Sequence, residues 1–198
     1  MIQRNKPKEK LKRADMNFHE ESESLKDRLI IAGIEEIAEH GVANFSLRRV
    51  AASCNTSCAA PYKHFKNKDE LILGIISYIN SQWVLLKNHI LEIFKADDKK
   101  ALIEVCIAYI RFWMTNPNYR TVLAKSGGEL LSVNAEISEQ LKLFCKSRQM
   151  TDDECTRLIY TVTALVYGTT SMLEHNELEN NDSTFALVRE TLSCALDV

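Results

Sequence analysis

Proline and glycine are scarce in this chain, whose 198 residues include three prolines and six glycines. Both residues interrupt regular helices, so their scarcity favours long helices over a sheet of many short strands. Long apolar runs are also missing. No stretch without a charged residue is longer than 158–173, which is shorter than the roughly 20 residues of a membrane-spanning helix and includes four threonines. The sequence therefore predicts an all-α protein with no membrane partner.

A secretory signal is not evident, because no apolar segment follows the basic N-terminus. Six cysteines would suit a disulfide framework in a small secreted chain. Without a signal, six reduced thiols are the simpler interpretation. We therefore expect a cytoplasmic protein.

Positive charge is concentrated in two places, although the formal net charge is −2. Residues 1–13 carry six basic side chains and one acidic one, and residues 45–68 carry five basic side chains and no acidic one. Residues 151–198 instead carry nine acids and two arginines. A local excess of positive charge is typical of a surface that meets nucleic-acid phosphates. Residues 1–23, which show no sustained period, are predicted to be a flexible basic arm.

The basic stretch at residues 45–68 has the pattern of two short helices joined by a tight turn, after one longer helix. Ser24 and Ser46 are predicted to cap the first and second helices, and Gly41 to end the first. Asn55 stands where the chain must turn sharply, and asparagine tolerates the left-handed conformation. The pattern predicts a helix-turn-helix.

The third helix is predicted to be capped by Ser57 or Thr56 and to run to about Phe65. Pro61 lies at the end of its first turn, where we expect it to cost little beyond one backbone hydrogen bond. Phe65 adjoins an apolar stripe and is predicted to be a core residue. Tyr62 has no acidic neighbour, so we expect it to contact DNA.

The rest of the chain shows apolar residues at alternating steps of three and four, which indicates further amphipathic helices. Thr151, followed three residues later by Glu154, is the pattern of a capping box. We predict helices at about 67–95, 99–115, 117–125, 134–148, 152–175 and 184–196.

Three short motifs follow one another in this predicted context: FSL at residues 45–47, YKHF at 62–65 and KDEL at 68–71. Together with the preceding helix and its glycine stop, they resemble the TetR/AcrR family of transcriptional regulators over residues 25–75. The resemblance implies an all-α homodimer that binds a palindromic double-stranded DNA operator, most often as a repressor. It also implies release of the operator when a small-molecule effector binds.

The resemblance implies an N-terminal helix-turn-helix DNA-binding domain at residues 24–70 and a C-terminal helical ligand-binding and dimerisation domain at residues 71–198. The chain departs from the family pattern at Asn55, where glycine is usual, and at Cys58, where a lysine or arginine is frequent. The DNA-binding residues implied by position are Ser46, Thr56, Ser57, Ala59, Tyr62, Lys63, His64 and Lys68.

An effector cavity and a dimer interface are predicted in the C-terminal part. A ligand packed against the far part of the 67–95 helix would tilt this helix and change the spacing of the two recognition helices. The aromatic candidates for the cavity, each of which also fits a core position, are Phe94, Tyr109, Trp113, Tyr119 and Tyr160. The candidates for the interface, for which packing within the chain is the alternative, are Leu158, Thr161, Leu165, Gly168 and Met172.

Other functions are weighed from the same residues. Cys54, Cys58 and His64 make a weak zinc signature, so we predict no metal and no cofactor. Cys58, at a predicted helix N-terminus among basic side chains, suggests a thiol-based redox-sensing regulator as an alternative. An all-α small-molecule-binding protein or enzyme is a further alternative. The chain has no glycine-rich phosphate loop and no catalytic motif, so we predict that it is not an enzyme.

Overall fold

The computed structural model describes residues 24–125 and 131–197, apart from the side chains of residues 120, 124, 125 and 131–136. The predicted flexible arm, residues 1–23, lies outside the described residues. Within the described ranges every regular element is helical, which confirms the all-α class. The elements are α1 Leu25–His40, α2 Leu47–Ser53, a 3-10 helix Pro61–Lys63, α3 Lys68–Ile93, α4 Asp98–Thr115, α5 Pro117–Lys125, α6 Leu131–Ser147, α7 Asp152–Glu174 and α8 Asp182–Ala195.

Helix boundaries follow the capping residues in the sequence. Ser24 accepts a hydrogen bond from the Asp27 backbone N–H, and Ser46 accepts one from the Arg49 backbone N–H. Gly41 ends α1 with a φ of 75°, a conformation that glycine adopts without strain. These three predictions are confirmed. The sequence was sufficient for them because capping depends on residues only a few positions apart.

The N-terminal helices pack closely because two glycines remove side chains where helices meet. A Cβ added at Gly33 on α1 would lie 2.6 Å from Ile75 Cδ1 on α3. A Cβ added at Gly74 on α3 would lie 3.0 Å from Phe65 Cε1. Ile75 is fully buried and Phe65 is 3% exposed, so the prediction that Phe65 is a core residue is confirmed.

The long helix α3 joins the two predicted domains. It begins at Lys68 and continues without a break to Ile93, across the predicted boundary at residue 70. Its buried residues run from Leu71 to Lys87, and α1 packs against both α3 and α5. One apolar core therefore extends from the DNA-binding helices into the C-terminal bundle. A movement of α3 would therefore shift both the DNA-binding helices and the C-terminal bundle.

The C-terminal bundle is built around α4. As its composition predicts, α4 is buried on most sides, and it packs against α3, α5, α6, α7 and α8. Thr151 and Glu154 form the predicted capping box at the start of α7. In the described part of the chain, no helix combines the length and hydropathy that a membrane span requires.

Candidate nucleic-acid interface

A buried carboxylate fixes α2 against α1. Glu36, which is 7% exposed, accepts two hydrogen bonds from Arg49 Nε, at 2.9 and 3.1 Å, and pairs with the rest of the guanidinium. It also accepts a hydrogen bond of 3.0 Å from the Ser46 backbone N–H. The hydrogen bond with Glu36 raises the pKa of Arg49, so the guanidinium stays charged. Arg49 therefore stabilises the position of α2 from its first turn.

The other end of α2 is held by hydrogen bonds from side chains to backbone carbonyls. The Arg28 guanidinium donates to the Cys54 carbonyl at 2.6 Å, and Cys54 Sγ donates to the Arg28 carbonyl at 3.4 Å. Asn55 follows with a φ of 55°, which confirms the predicted left-handed turn. The Thr56 hydroxyl donates to the Ala51 carbonyl at 3.1 Å, so Thr56 closes this turn and does not cap a third helix.

Residues 57–65, here called the recognition segment, do not form the predicted α-helix. They form a turn in which the Ala60 N–H donates to the Ser57 carbonyl at 2.9 Å. The 3-10 helix Pro61–Lys63 follows this turn. The prediction was wrong because Pro61 has no N–H for the α-helical bond to Ser57, and its ring crowds that carbonyl. The tighter i to i−3 bonding avoids both problems.

The recognition segment exposes five of the predicted DNA-binding residues. No acidic residue occurs between positions 41 and 68, and the Lys63 and Arg48 side chains have no anionic partner among the described residues. Tyr62 is 58% exposed. The surface is therefore basic, with its polar side chains directed to solvent. The exposed residues are Ser57, Ala59, Tyr62, Lys63 and His64.

Lys68 lies beside this surface and contacts its own chain. Its ammonium donates to the Val42 carbonyl at 2.6 Å and lies 5.8 Å from the centre of the Phe45 ring. An ammonium has three protons to donate, so this bond leaves capacity for a phosphate. Lys68 thus links the start of α3 to the loop after α1, and its DNA contact stays a prediction.

The cysteines of this region do not form a metal site with His64. Cys54 is buried and bonded to Arg28, whereas Cys58 is exposed in the turn before the 3-10 helix. Among the described residues, no group of three or more His, Cys, Asp or Glu side chains is arranged to hold a metal ion. Cys58 also does not lie at an α-helix N-terminus, which removes one reason for the redox alternative.

A cluster of aromatic rings, here called the aromatic core, lies between α3, α4 and α5. Trp83 lies 5.5 Å from Tyr109 and 5.7 Å from Phe112, measured between ring centres. Tyr109 lies 5.9 Å from Trp113, and Phe112 lies 5.8 Å from Tyr119. Burial raises the pKa values of Tyr109 and Tyr119, so both hydroxyls stay protonated.

Two of the aromatic residues predicted for the effector cavity lie elsewhere. Tyr160 is 76% exposed on α7, so it does not line a cavity within this chain. Phe94 is half-buried at the end of α3, where the Lys100 ammonium lies 5.0 Å from the centre of its ring. Both residues are aromatic, as expected for a cavity. Tyr160 nevertheless lies on the exposed side of α7 and Phe94 at the end of α3, so neither joins the aromatic core.

The outer face of α7 carries most of the residues predicted for the dimer interface. Thr161, Gly168 and Met172 are exposed and Leu165 is half-buried. A Cβ added at Gly168 would have no atom of its own chain within 4 Å. Leu158 is an exception: it is 4% exposed and packs in the core, so it has almost no surface for a partner.

The comparisons with known proteins agree with this geometry. Residues 29–75 match the model of bacterial regulatory proteins of the tetR family, and this match covers every predicted DNA-binding residue. The chain belongs to the TetR family. It is a transcription regulator with a DNA-binding helix-turn-helix. Among curated protein sequences, none matches this TetR-family chain.

Solved structures of TetR-family regulators share the fold of this chain. A proposed fatty acid metabolism regulator from Clostridium perfringens has a TM-score of 0.66 at 14% identity, over 86% of this chain and 99% of that one. A TetR-family regulator from Marinobacter aquaeolei has a TM-score of 0.62 at 16% identity, over 86% and 94%. FadR from Bacillus subtilis, solved in complex with stearoyl-CoA, has a TM-score of 0.60 at 17% identity, over 86% and 97%.

Sequence reasoning missed Glu36, the residue that orients α2 in this TetR-family domain. A signal was present: Glu36 lies on the face of α1 that also carries Leu29, Gly33 and Ile37, where an acid is unexpected. The residues predicted from the sequence for the effector cavity do not include Trp83 and Phe112, whose rings belong to the aromatic core. Their ring contacts depend on how α3 crosses α4, which the sequence pattern does not specify.

Proposed function

We propose that this TetR-family regulator is a homodimer that represses transcription by binding a palindromic operator, and that a small-molecule effector releases it. One observation carries the proposal: an exposed surface without acidic residues lies on a backbone that the Glu36–Arg49 pair holds in place. Preorganised donors lose little entropy on meeting phosphates. The described residues hold no comparable arrangement of catalytic groups, and the fold is that of a regulator.

The roles of the DNA-binding residues follow from their chemistry. Lys63 is exposed and has no ion-pair partner among the described residues, so it can donate to guanine acceptors in the major groove or to a phosphate. Tyr62 can reach a phosphate or a thymine methyl group. The exposed Ser57 and His64 side chains suit phosphate oxygens. Ser46 places the N-terminal amides of α2 toward the backbone of the duplex.

A dimer is required for recognition of two half-sites. Two recognition segments enter successive major grooves when they are about 34–36 Å apart. The exposed face of α7, with Gly168 at its centre, supports a partner helix that approaches closely. Leu187 on α8, a helix that packs against α7, is an apolar residue that is 57% exposed. We propose that α7 and α8 of two chains form a four-helix bundle.

The effector is proposed to bind at the aromatic core. FadR of similar fold was solved with stearoyl-CoA, which supports a role for this kind of helical domain in ligand binding. Trp83 belongs to α3, whose first residue is Lys68 beside the recognition segment. A ligand that separates α3 from α4 near Trp83 and Tyr109 therefore changes the angle of α3. The ligand must bind the released arrangement more tightly than the DNA-bound one, or it shifts nothing.

The domain division at residues 24–70 and 71–198 and the cytoplasmic location are part of the same proposal. The described structure supports a division by role and not by packing, because α3 and one apolar core span both parts.

The first experiment is binding of the full chain to labelled duplex DNA from the region flanking its own gene. Fluorescence anisotropy over a salt series is expected to give tighter binding than to random DNA, with affinity that falls steeply as salt rises. Lys63→Ala is expected to weaken binding by at least about fivefold and to reduce the salt slope by about one for each phosphate contact removed.

The matched control is Lys142→Ala, which removes an exposed lysine from α6, away from the recognition segment. It is expected to leave both the affinity and the salt slope unchanged. Equal and weak binding to every duplex would contradict binding at its own gene. Equal losses for Lys63→Ala and Lys142→Ala would show that only overall charge matters and would contradict the proposed interface.

A further inference from the structure

Met150, in the hairpin between α6 and α7, belongs to two helix-end motifs. The Met150 N–H donates to the Cys145 carbonyl at 3.1 Å, and the Gln149 N–H donates to the Lys146 carbonyl at 3.2 Å. Gln149 has a φ of 53°. This pattern of bonds is the Schellman motif. In this motif, the residue that follows the left-handed one contacts the helical residue three positions before the C-cap of the helix.

The same Met150 directly precedes Thr151, the N-cap of α7. A residue in this position commonly packs against the fourth residue of the helix, which here is Cys155. The Schellman motif likewise pairs Met150 with Cys145. Two independent local motifs therefore direct Cys145 and Cys155 toward the same methionine from opposite sides of the hairpin.

The two cysteines are neighbours across the hairpin, where α6 packs against α7. Burial raises the pKa of Cys145 to about 12, and the neighbouring Cys155 thiol adds to this rise. Cys145 is 3% exposed, whereas Cys155 is half-buried. The other four cysteines have different surroundings: Cys54 is bonded to a carbonyl, Cys106 is buried, and Cys58 and Cys194 are exposed.

The half-buried Cys155 gives a small oxidant access to this pair. A cavity of about 500 Å³ opens beside the hairpin and is lined by Met150, Glu154 and Leu158, among others. Glu154 precedes Cys155 directly, and Leu158 follows it by one helical turn. The cavity therefore lies along the first turns of α7, the part of the helix that carries Cys155.

We propose that Cys145 and Cys155 are an oxidation site of this protein, at which a peroxide converts the two thiols into an intramolecular disulfide. The site lies outside the DNA-binding surface and outside the aromatic core. The proposal is separate from the proposed function, because it concerns chemistry that requires neither DNA nor an effector.

The reaction with a peroxide balances in two steps. The Cys155 thiolate attacks one peroxide oxygen, the O–O bond breaks, and the released hydroxide takes up a proton to leave as water. The Cys145 sulfur, after losing its proton, then attacks the Cys155 sulfenic acid, the S–O bond breaks, and a second water leaves. Two thiols are oxidised and one peroxide is reduced. Because the thiolate of Cys145 is disfavoured, the second step is expected to be the slower one.

The test uses the full chain with Cys58→Ser and Cys194→Ser, which removes the two exposed thiols and their intermolecular chemistry. This variant keeps four cysteines. After treatment with hydrogen peroxide, denaturation and alkylation with N-ethylmaleimide, two of the four alkylations are expected to be lost. Non-reducing tryptic digestion is expected to yield peptide 143–146 joined to peptide 149–157, two hydrogens lighter than the separate peptides. Reduction is expected to restore all four alkylations.

Two further variants serve as controls in the same background. Cys145→Ser is expected to abolish the joined peptide and to let Cys155 proceed to sulfinic acid, and Cys155→Ser is expected to leave Cys145 reduced. Circular dichroism of each reduced variant checks that the helices persist. The proposal is overturned if the four-cysteine protein forms no joined peptide under conditions that oxidise Cys58 in the wild type. It is equally overturned if Cys155 becomes sulfinic acid while Cys145 is present.

Discussion

At the scale of single residues, Glu36 decides the orientation of the DNA-binding surface. Its carboxylate is buried and accepts hydrogen bonds from the Arg49 side chain and from the Ser46 backbone. A buried charge is costly unless it is paired and hydrogen-bonded, and Glu36 satisfies both conditions. Arg49 is one of the five basic residues between positions 45 and 68, yet its role in the fold is structural. Local charge alone therefore overstates the number of side chains free for phosphate.

Gly33 provides the first prediction at this scale. Replacing a glycine inside a helix by alanine adds about 1 kcal/mol of stability through helix propensity. At Gly33 the new Cβ would lie 2.6 Å from Ile75 Cδ1 and 3.6 Å from Phe45 Cζ. Overpacking of a well-filled core costs about 1–3 kcal/mol. Because Ile75 is fully buried, we expect Gly33→Ala to reduce the free energy of unfolding by about 1 kcal/mol, measured by urea denaturation.

Gly74→Ala is the matched control, because its nearest contact, with Phe65 Cε1, is longer at 3.0 Å. The cost of crowding is expected to be smaller at Gly74, so it should nearly cancel the gain from helix propensity. A Gly33→Ala protein that is more stable than the Gly74→Ala protein would contradict this account of the α1–α3 contact.

At the scale of elements, helix ends are tied together by charged side chains. Arg148, just after α6, donates to Asp98 in the first turn of α4 at 2.7 and 3.0 Å. The Arg148 guanidinium also lies 3.9 Å from the centre of the Phe144 ring. The contact orients the start of α4 against the hairpin that carries Cys145. The recognition segment is the contrasting element, because a single proline changes its helix type.

The Asp98–Arg148 pair predicts a dependence of stability on pH. The hydrogen bond from Arg148 lowers the pKa of Asp98 below its ordinary value of 3.8. A carboxyl with a lowered pKa in the folded state stabilises the protein above its unfolded pKa, and this contribution is lost as the pH falls through the folded pKa. Asp98→Asn is therefore expected to lower the thermal midpoint at pH 7, and the gap is expected to narrow as the pH falls below 3.8 and through the lowered pKa of Asp98.

The effect is expected to stay below about 1 kcal/mol, because both side chains are partly exposed and solvent screens the pair. Asp69→Asn is the control, since Asp69 also lies in the first turn of a helix but has no ion-pair partner among the described residues. A thermal gap for Asp98→Asn that is equal at pH 3 and pH 7 would show that the charge interaction is not its cause.

At the scale of the whole molecule, the exposed face of α7 predicts how two chains meet. Gly168→Leu places a large side chain where we propose that the partner helix approaches most closely, and no atom of the described residues lies within 4 Å of the new Cβ. We expect this variant to stay folded and to become a monomer, as measured by size-exclusion chromatography with light scattering. Because both half-sites must be engaged together, its affinity for the operator is expected to fall as well.

Asn88→Leu, an equivalent change at an exposed position of α3, is the control and is expected to remain a dimer. A Gly168→Leu protein that keeps the mass of a dimer would remove α7 from the interface. That result would leave the recognition segment unaffected, because the two surfaces lie on different helices.

The sequence by itself determined the helices and the family of this protein. Ser24, Gly41, Ser46 and Thr151 define helix ends through bonds to residues a few positions away, so these predictions needed no tertiary contact. The N-terminal motifs are equally local, and the family match over residues 29–75 bears them out. The prediction of a third α-helix was wrong for a reason that is also local, because it underestimated how strongly Pro61 disfavours an α-helix.

The tertiary structure alone decided which side chains share a site. Leu158 and Tyr160 are two positions apart on α7, yet the first is 4% exposed and the second 76%. Which side of a helix faces the core depends on the helices that pack against it, and their partners are distant in sequence. The same reason hid the Glu36–Arg49 pair, the ring contacts of Trp83 and the thiol pair. Local patterns specify elements, whereas the crossing of helices specifies contacts between them.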